Sequence, residues 1–197
     1  MKSKFDRLDR WLIDNWAEAR EFETSMERAR TTYEGIVQQV VERVQRKLPA
    51  LDRSKLFGSI GQLVFSKSDW PSASSYLSGL WLGSIGLNNL VVEEDEAPYA
   101  SIWLDPPKAV KIDLSIAHSK LTKANTRLMK DPKIHWESGK GLKDCDWYYF
   151  PETRHSLLKM LLDGSGERFV ECLTAHALRL TRFVPIIDQV FRTSESQ

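Results

Sequence analysis

The stretch "ERVQRKLPALDRSKLFGSIGQLVFSKSDWP", Glu42 to Pro71, holds the change of period on which the fold turns. Upstream of Pro49 the apolar residues recur every three or four positions; downstream they come in short aromatic and branched runs broken by Gly, Ser and Pro. The first spacing is that of a helix and the second that of strands. Proline disfavours helical backbone in the residue before it, so Leu48 and Pro49 mark the junction.

Working towards the amino terminus, Phe5, Leu8, Leu12, Ala19, Phe22, Met26, Ala29, Tyr33, Ile36 and Val40 form a heptad stripe, with Asn15 in its polar slot. The spacing predicts a helical arm over residues 1–48. Thr24 stands three before Glu27 and Thr31 three before Glu34, two capping-box patterns that leave two forms open, a uniform rod or a restarted helix with a kinked or hairpin arm. The stripe has two readings. It packs on the chain's own sheet or folds back on itself, or it pairs with a second copy through Leu12, Asn15, Phe22, Met26 and Tyr33, with Asn15 setting the register.

Working towards the carboxyl terminus, "GQLVFSKSDWP", "SYLSGLWLGSIGLNNLVV", "YASIWLD" and "AVKIDL" read as strands joined by turns, an antiparallel meander of about three to five strands. An acidic tip, Glu93 to Glu96, lies between two of them; four acids in a row suit a solvated loop, metal ligands or a partner for a basic helix. "CDWYYFPE" reads as a last strand stopped by Pro151. "TRHSLLKMLL" and "RFVECLTAHALRLTRF" read as helices, the second apolar at Phe169, Leu173, Ala177 and Leu180 and broken by Pro185, with one more turn in "IIDQVF" before a frayed tail. The expectation is an α+β protein: an amino-terminal helical arm, then residues 49–197 as a domain with a central antiparallel sheet and carboxy-terminal helices packed on it.

At 197 residues the chain can bury a core without staples, and 42% apolar with 28% charged residues is the composition of a globular protein. A net charge of +1 leaves the question of a polyanionic partner to local clustering. Cys145 and Cys172 are too few for a disulfide framework and lack the paired spacing of a zinc site, so they read as reduced and structural. No segment has the apolar length of a signal peptide or a membrane span, which predicts a cytoplasmic protein with no membrane contact. The seven tryptophans read mainly as core or interface anchors.

The motifs of nucleophile elbows, zinc proteases and phosphate-binding loops are absent from the sequence. His118, His135, His155 and His176 are not spaced from one another as helix-neighbour ligands. No catalytic set, metal or cofactor is therefore expected. In "PETRHS", Glu152, Arg154 and His155 could together serve a phosphate, but Thr153 or Ser156 as a helix cap, with Glu152 near the positive helix end, explains the segment. Asp105 and Asp113 end predicted strands, where a divalent ion could be held, yet the acidic-x-Lys element that a nuclease adds has no match in context.

"KIDLSIAHSKLTKANTRLMKDPK" carries the strongest remaining signal. Ile116, Ala117, Leu121, Ala124 and Leu128 share one side of a helix that Asp113 or Ser115 can cap and Pro132 ends. Lys120, Lys123, Arg127 and Lys130 share the other. Like charges at such spacing repel by about 0.2–0.5 kcal/mol per pair, which counterion release from a polyanion can offset. Lys133, Lys140 and Lys143 extend the run, and Trp136 stands among them as a stacking surface. The plain alternative is a solvated face.

The long helical segment, the strands around "FSKSDWP" and "LWLGSIGL", and "HWESGKGLKDCDWYYFPE" ahead of "LLKMLLDGSGERFVECLTAHALRL" together resemble the region that follows the nuclease core in bacterial PD-(D/E)XK-superfamily proteins. The likeness lies in aromatic positions and helix placement. It implies association with DNA processing or defence against foreign DNA. The family's catalytic Asp and (D/E)xK pair has no counterpart here, so no catalytic residue carries over, and the resemblance is to the non-catalytic part.

The expected function is a non-enzymatic nucleic-acid-binding or accessory module that contacts DNA or RNA through Lys120, Lys123, Arg127, Lys130, Lys133 and Trp136 and forms a homodimer through the arm. One alternative is a protein-interaction or inhibitor module using the arm and exposed tryptophans. Another is a divergent metal-dependent nuclease using Asp105, Asp113 or the Glu93 to Glu96 cluster.

Overall fold

Heptad spacing with good helix formers between the apolar positions yields one helix, α1, Trp16–Lys47. The computed structural model describes residues 11, 14–58, 61–86, 97–110, 112, 116–117, 119–121, 123, 136–138, 144–161 and 165–195. At 1.5 Å per residue α1 is about 48 Å long. The helix does not restart. Thr24 and Thr31 donate their hydroxyls to the carbonyls of Arg20 and Glu27, one turn back (2.8 and 3.0 Å), so both serve a helix interior rather than a cap. The helix ends before Pro49 as expected, with the Leu48 N–H still bonded to the Val44 carbonyl.

Four strands of the sheet coincide with the apolar runs read as strands, but the sheet has six: β1 Arg53–Phe57, β2 Gln62–Ser66, β3 Gly79–Gly83, β4 Tyr99–Trp103, β5 Trp136–Ser138 and β6 Asp144–Tyr149. All neighbours are antiparallel, in the order β1-β2-β3-β4-β6-β5. Two strands were not read: β1, a polar run ahead of the first apolar one, and β5, which falls in a segment rich in glycine and lysine that reads as a loop. "AVKIDL" differs in the other direction at its described residues, Lys111, Asp113 and Leu114 lying outside them. Ala109 and Val110 lie in a turn that follows Pro106 and Pro107, closed by the Val110 N–H on the Pro107 carbonyl.

Alternation along the strands sorts the sheet into two faces. Leu63 pairs with Leu82, and Phe65 with Leu80, which pairs in turn with Ile102. These side chains face the helices and form the main core with Val40, Val44, Phe169, Leu173, Ala177 and Ile187. The opposite face gathers Val64, Trp81, Phe57 and Trp103, with the Phe57 ring stacked on Trp81 at 5.4 Å and on Tyr76 at 5.2 Å. Tyr99 lies over Gly83 so closely that any Cβ there would overlap its ring, which is why glycine occupies that strand position.

Three helices follow the sheet: α2 Arg154–Leu161, α3 Glu167–Leu180 and, after a 3₁₀ turn at Thr181–Phe183, α4 Val184–Glu195. Thr153 caps α2 as expected, accepting the Ser156 N–H at 3.1 Å. Pro185 does not end a helix. It sits in the first turn of α4, where a missing N–H costs nothing, and α4 continues through the tail residues to Glu195. α3 runs across β3 and β4 and along α1. Lys67 at the end of β2 reaches Asp188 of α4 at 2.7 Å, and the Trp70 indole N–H donates to the same carboxylate at 2.9 Å. The α+β architecture of arm, antiparallel sheet and carboxy-terminal helices is thus the observed one. No helix among the described residues is long and apolar enough to cross a membrane.

Candidate functional site

The heptad stripe of α1 is divided by what covers it. From Tyr33 onward it is core: Tyr33, Val37, Val40, Val41 and Val44 are buried, and each buried valine contributes about 1.5–3 kcal/mol. Tyr33 donates its hydroxyl to the Ile85 carbonyl (3.1 Å) and meets Phe169 edge-on. Ile36 packs on Gly166, whose positive φ of 71° starts α3 and whose missing Cβ leaves room for the isoleucine. Arg43 grips both carboxylate oxygens of Glu167 at 2.7 Å.

Ahead of Tyr33 the same stripe is uncovered. No side chain between Trp16 and Thr32 is buried. Trp11, Trp16 and Phe22 are 49%, 64% and 68% exposed, and they are three of the six large apolar side chains exposed among the described residues. Met26 is half-buried. Asn15 donates its side-chain amide to the Trp11 carbonyl at 2.8 Å. Of the residues expected to associate, Leu12 lies outside the described residues. Asn15, Phe22 and Met26 stand on the uncovered half, whereas Tyr33 is a correction: it belongs to the chain's own core because α3 and the Ile85 turn close over it.

The basic helix is described in part. Ala117 and Leu121 are buried, Lys123 is exposed and Lys120 is half-buried, but Ile116, expected on the apolar side, is 53% exposed, because it stands about 100° round the helix from Ala117. Arg127, Lys130 and Lys133 lie outside the described residues, as do Asp113 and Glu93 to Glu96. Trp136 contributes its backbone to β5, opposite Tyr148. Asp105 is buried and structural: it accepts the Ser74 hydroxyl at 2.7 Å, while its own N–H donates to Ser78 Oγ at 3.0 Å. These bonds tie the 71–78 loop to the end of β4.

A second cluster escaped the sequence reading. Glu152, Cys172 and His176 each place one ligand-type atom within 4.8 Å of the other two. Cys172 and His176 are four apart on α3 and so share one side of it. Glu152 arrives from the segment between β6 and α2. His176 Nε2 lies 3.1 Å from Glu152 Oε2, and because a carboxylate can only accept, Nε2 carries the proton. The imidazole stacks on Phe150 with ring centroids 3.7 Å apart and planes 5° from parallel.

Burial lowers the pKa of His176, and Glu152 opposes that shift only in part, so the ring is neutral at neutral pH. Burial also pushes the Cys172 thiol up to about 12, with the negative charge of Glu152 adding to the effect and Arg179 opposing it. A thiol so held is a slow nucleophile at neutral pH. The signal for this cluster was the Cys-x-x-x-His spacing; comparing cysteines with cysteines and histidines with histidines passes over it.

No protein-family model, no curated protein and no solved structure matches this chain, so its functional reading rests on its own residues.

Proposed function

We propose that the chain is an accessory module that associates through its amino-terminal helical arm with a second copy of itself. The observation that carries this reading is the uncovered half of the heptad stripe, where Phe22 is 68% exposed and no side chain from Trp16 to Thr32 is buried, with Trp11 and Trp16 exposed beside it. Water is a poor neighbour for such a surface. A second copy is the occupant that the spacing favours, since a 3.5-residue apolar repeat is complementary to another of the same kind. Sedimentation equilibrium over a wide concentration range tests it. The expected result is a dimer in which Phe22→Glu with Met26→Glu weakens association at least tenfold while the circular dichroism spectrum is retained. A wild-type chain that stays monomeric throughout discards the reading.

A second reading, contact with DNA or RNA through the basic helix, is supported by the outward placement of Lys123 opposite buried Ala117 and Leu121. The resemblance to the non-catalytic part of PD-(D/E)XK proteins agrees with it. Anisotropy of labelled single- and double-stranded DNA and RNA should then show binding that falls steeply with salt and is weakened by Lys123→Glu with Arg127→Glu. No binding at low salt leaves the lysine row as a solvated face.

A further inference from the structure

We infer that Glu152, Cys172 and His176 form a binding site for a zinc ion. The donor set selects the metal class. A thiolate with an imidazole suits zinc and related borderline-soft divalent ions, whereas magnesium and calcium take oxygen ligands. The positions also fit. With metal–ligand bonds of about 2.0–2.3 Å, tetrahedral donors stand roughly 3.3–3.7 Å from one another. The three donor atoms lie within 4.8 Å of one another, with His176 and Glu152 already at 3.1 Å, so side-chain adjustments suffice.

The surroundings favour the ion as well. α3 holds Cys172 and His176 rigidly on one side, and stacking on Phe150 sets the plane of the imidazole. The His176 side chain is 5% exposed and that of Glu152 is 25% exposed, which leaves a way in from solvent beside the carboxylate. The charges balance: zinc with one thiolate, one carboxylate and a neutral imidazole is a neutral unit. On binding, the Cys172 S–H bond gives way to an S–Zn bond and its proton leaves to solvent, while the imidazole proton moves to Nδ1 so that Nε2 can ligate. Three protein donors leave a fourth tetrahedral position for water or a donor from a partner.

Titration of the purified full chain with cobalt(II), a spectroscopic stand-in for zinc, tests the assignment. The expected result is one equivalent bound with a thiolate-to-cobalt charge-transfer band. That band should persist in Cys145→Ser, vanish in Cys172→Ser and weaken at least tenfold in apparent affinity in His176→Ala. Absence of the band, or its persistence in Cys172→Ser, overturns the site. Should a variant fail to fold, alkylation of wild-type protein decides the matter. Zinc should slow modification of Cys172 at least tenfold, as mapped by peptide mass, and equal rates with and without zinc overturn it.

Discussion

The two halves of α1 share one stripe and differ in what lies against it. In the root, Tyr33 to Val44, the apolar side chains close on α3 and the sheet, and Arg43 clamps Glu167. In the arm, Trp11 to Thr32, the described side chains of the same periodicity meet no core, and Trp11, Trp16 and Phe22 are among the exposed large apolar side chains of the described residues. A helix in a protein draws most of its stability from packing of its apolar face. The root therefore supplies the fixed helical turns from which the arm extends, and the arm presents a seam whose ordering a partner would complete. A repeated pattern along one helix is thus core at one end and uncovered at the other, and the boundary is set by where the sheet and α3 stop covering it.

Substitutions on either side of that boundary can break the comparison. The largest effect is expected at the root. Val44→Asp places a charge in a fully buried site and should destabilise the fold by about 3 kcal/mol or more, read from the urea midpoint. A loss below about 1 kcal/mol would mean that the root is not core. Tyr33→Phe keeps the ring against Phe169 but removes the hydroxyl donated to Ile85. A cost of about 1 kcal/mol is expected in the same measurement.

On the arm the order of effects reverses. Phe22→Ser should leave monomer stability within about 0.5 kcal/mol of wild type, because the side chain is 68% exposed, while self-association weakens at least tenfold. A large loss of stability in dilute monomer would show that the arm is covered by its own chain. The smallest effect sharpens the far end of the root. Asp52, just past the helix, is held below the ordinary carboxylate range by hydrogen bonds from Ser68, first its side chain and then its N–H, which donates at 2.7 Å. Its contribution is present above the unfolded value of about 4 and is lost as pH falls through the folded value. Asp52→Asn should flatten the acid limb of the stability profile slightly and leave the neutral plateau level.

Much of the architecture could be read from spacing. The 3.6-residue period of α1, the stop at Pro49, the apolar runs of β2, β3, β4 and β6 and the cap at Thr153 are local features, decided by backbone sterics and by which side chains neighbour one another. The misreadings share a cause. Capping-box patterns at Thr24 and Thr31 compete with continued helix, and hydroxyls bonded one turn back let the helix win. β5 lacks an apolar run of its own and is strand because β6 offers it an edge. Pro185 carries the same chemistry at a helix start as after a helix end, and position alone tells the two apart.

For the candidate sites the division is sharper. The sequence by itself determined that α1 carries an apolar stripe, that Lys123 lies away from Ala117 and Leu121, and that Cys172 and His176 share a side of one helix, because each depends only on helical periodicity. The tertiary structure alone decided that the stripe is core after Tyr33 and bare before it, that Asp105 is a loop anchor, and that Glu152 stands beside Cys172 and His176. Periodicity says which side chains point the same way. What they meet depends on segments distant in the chain, and only the packing of α3 against the sheet brings those segments together.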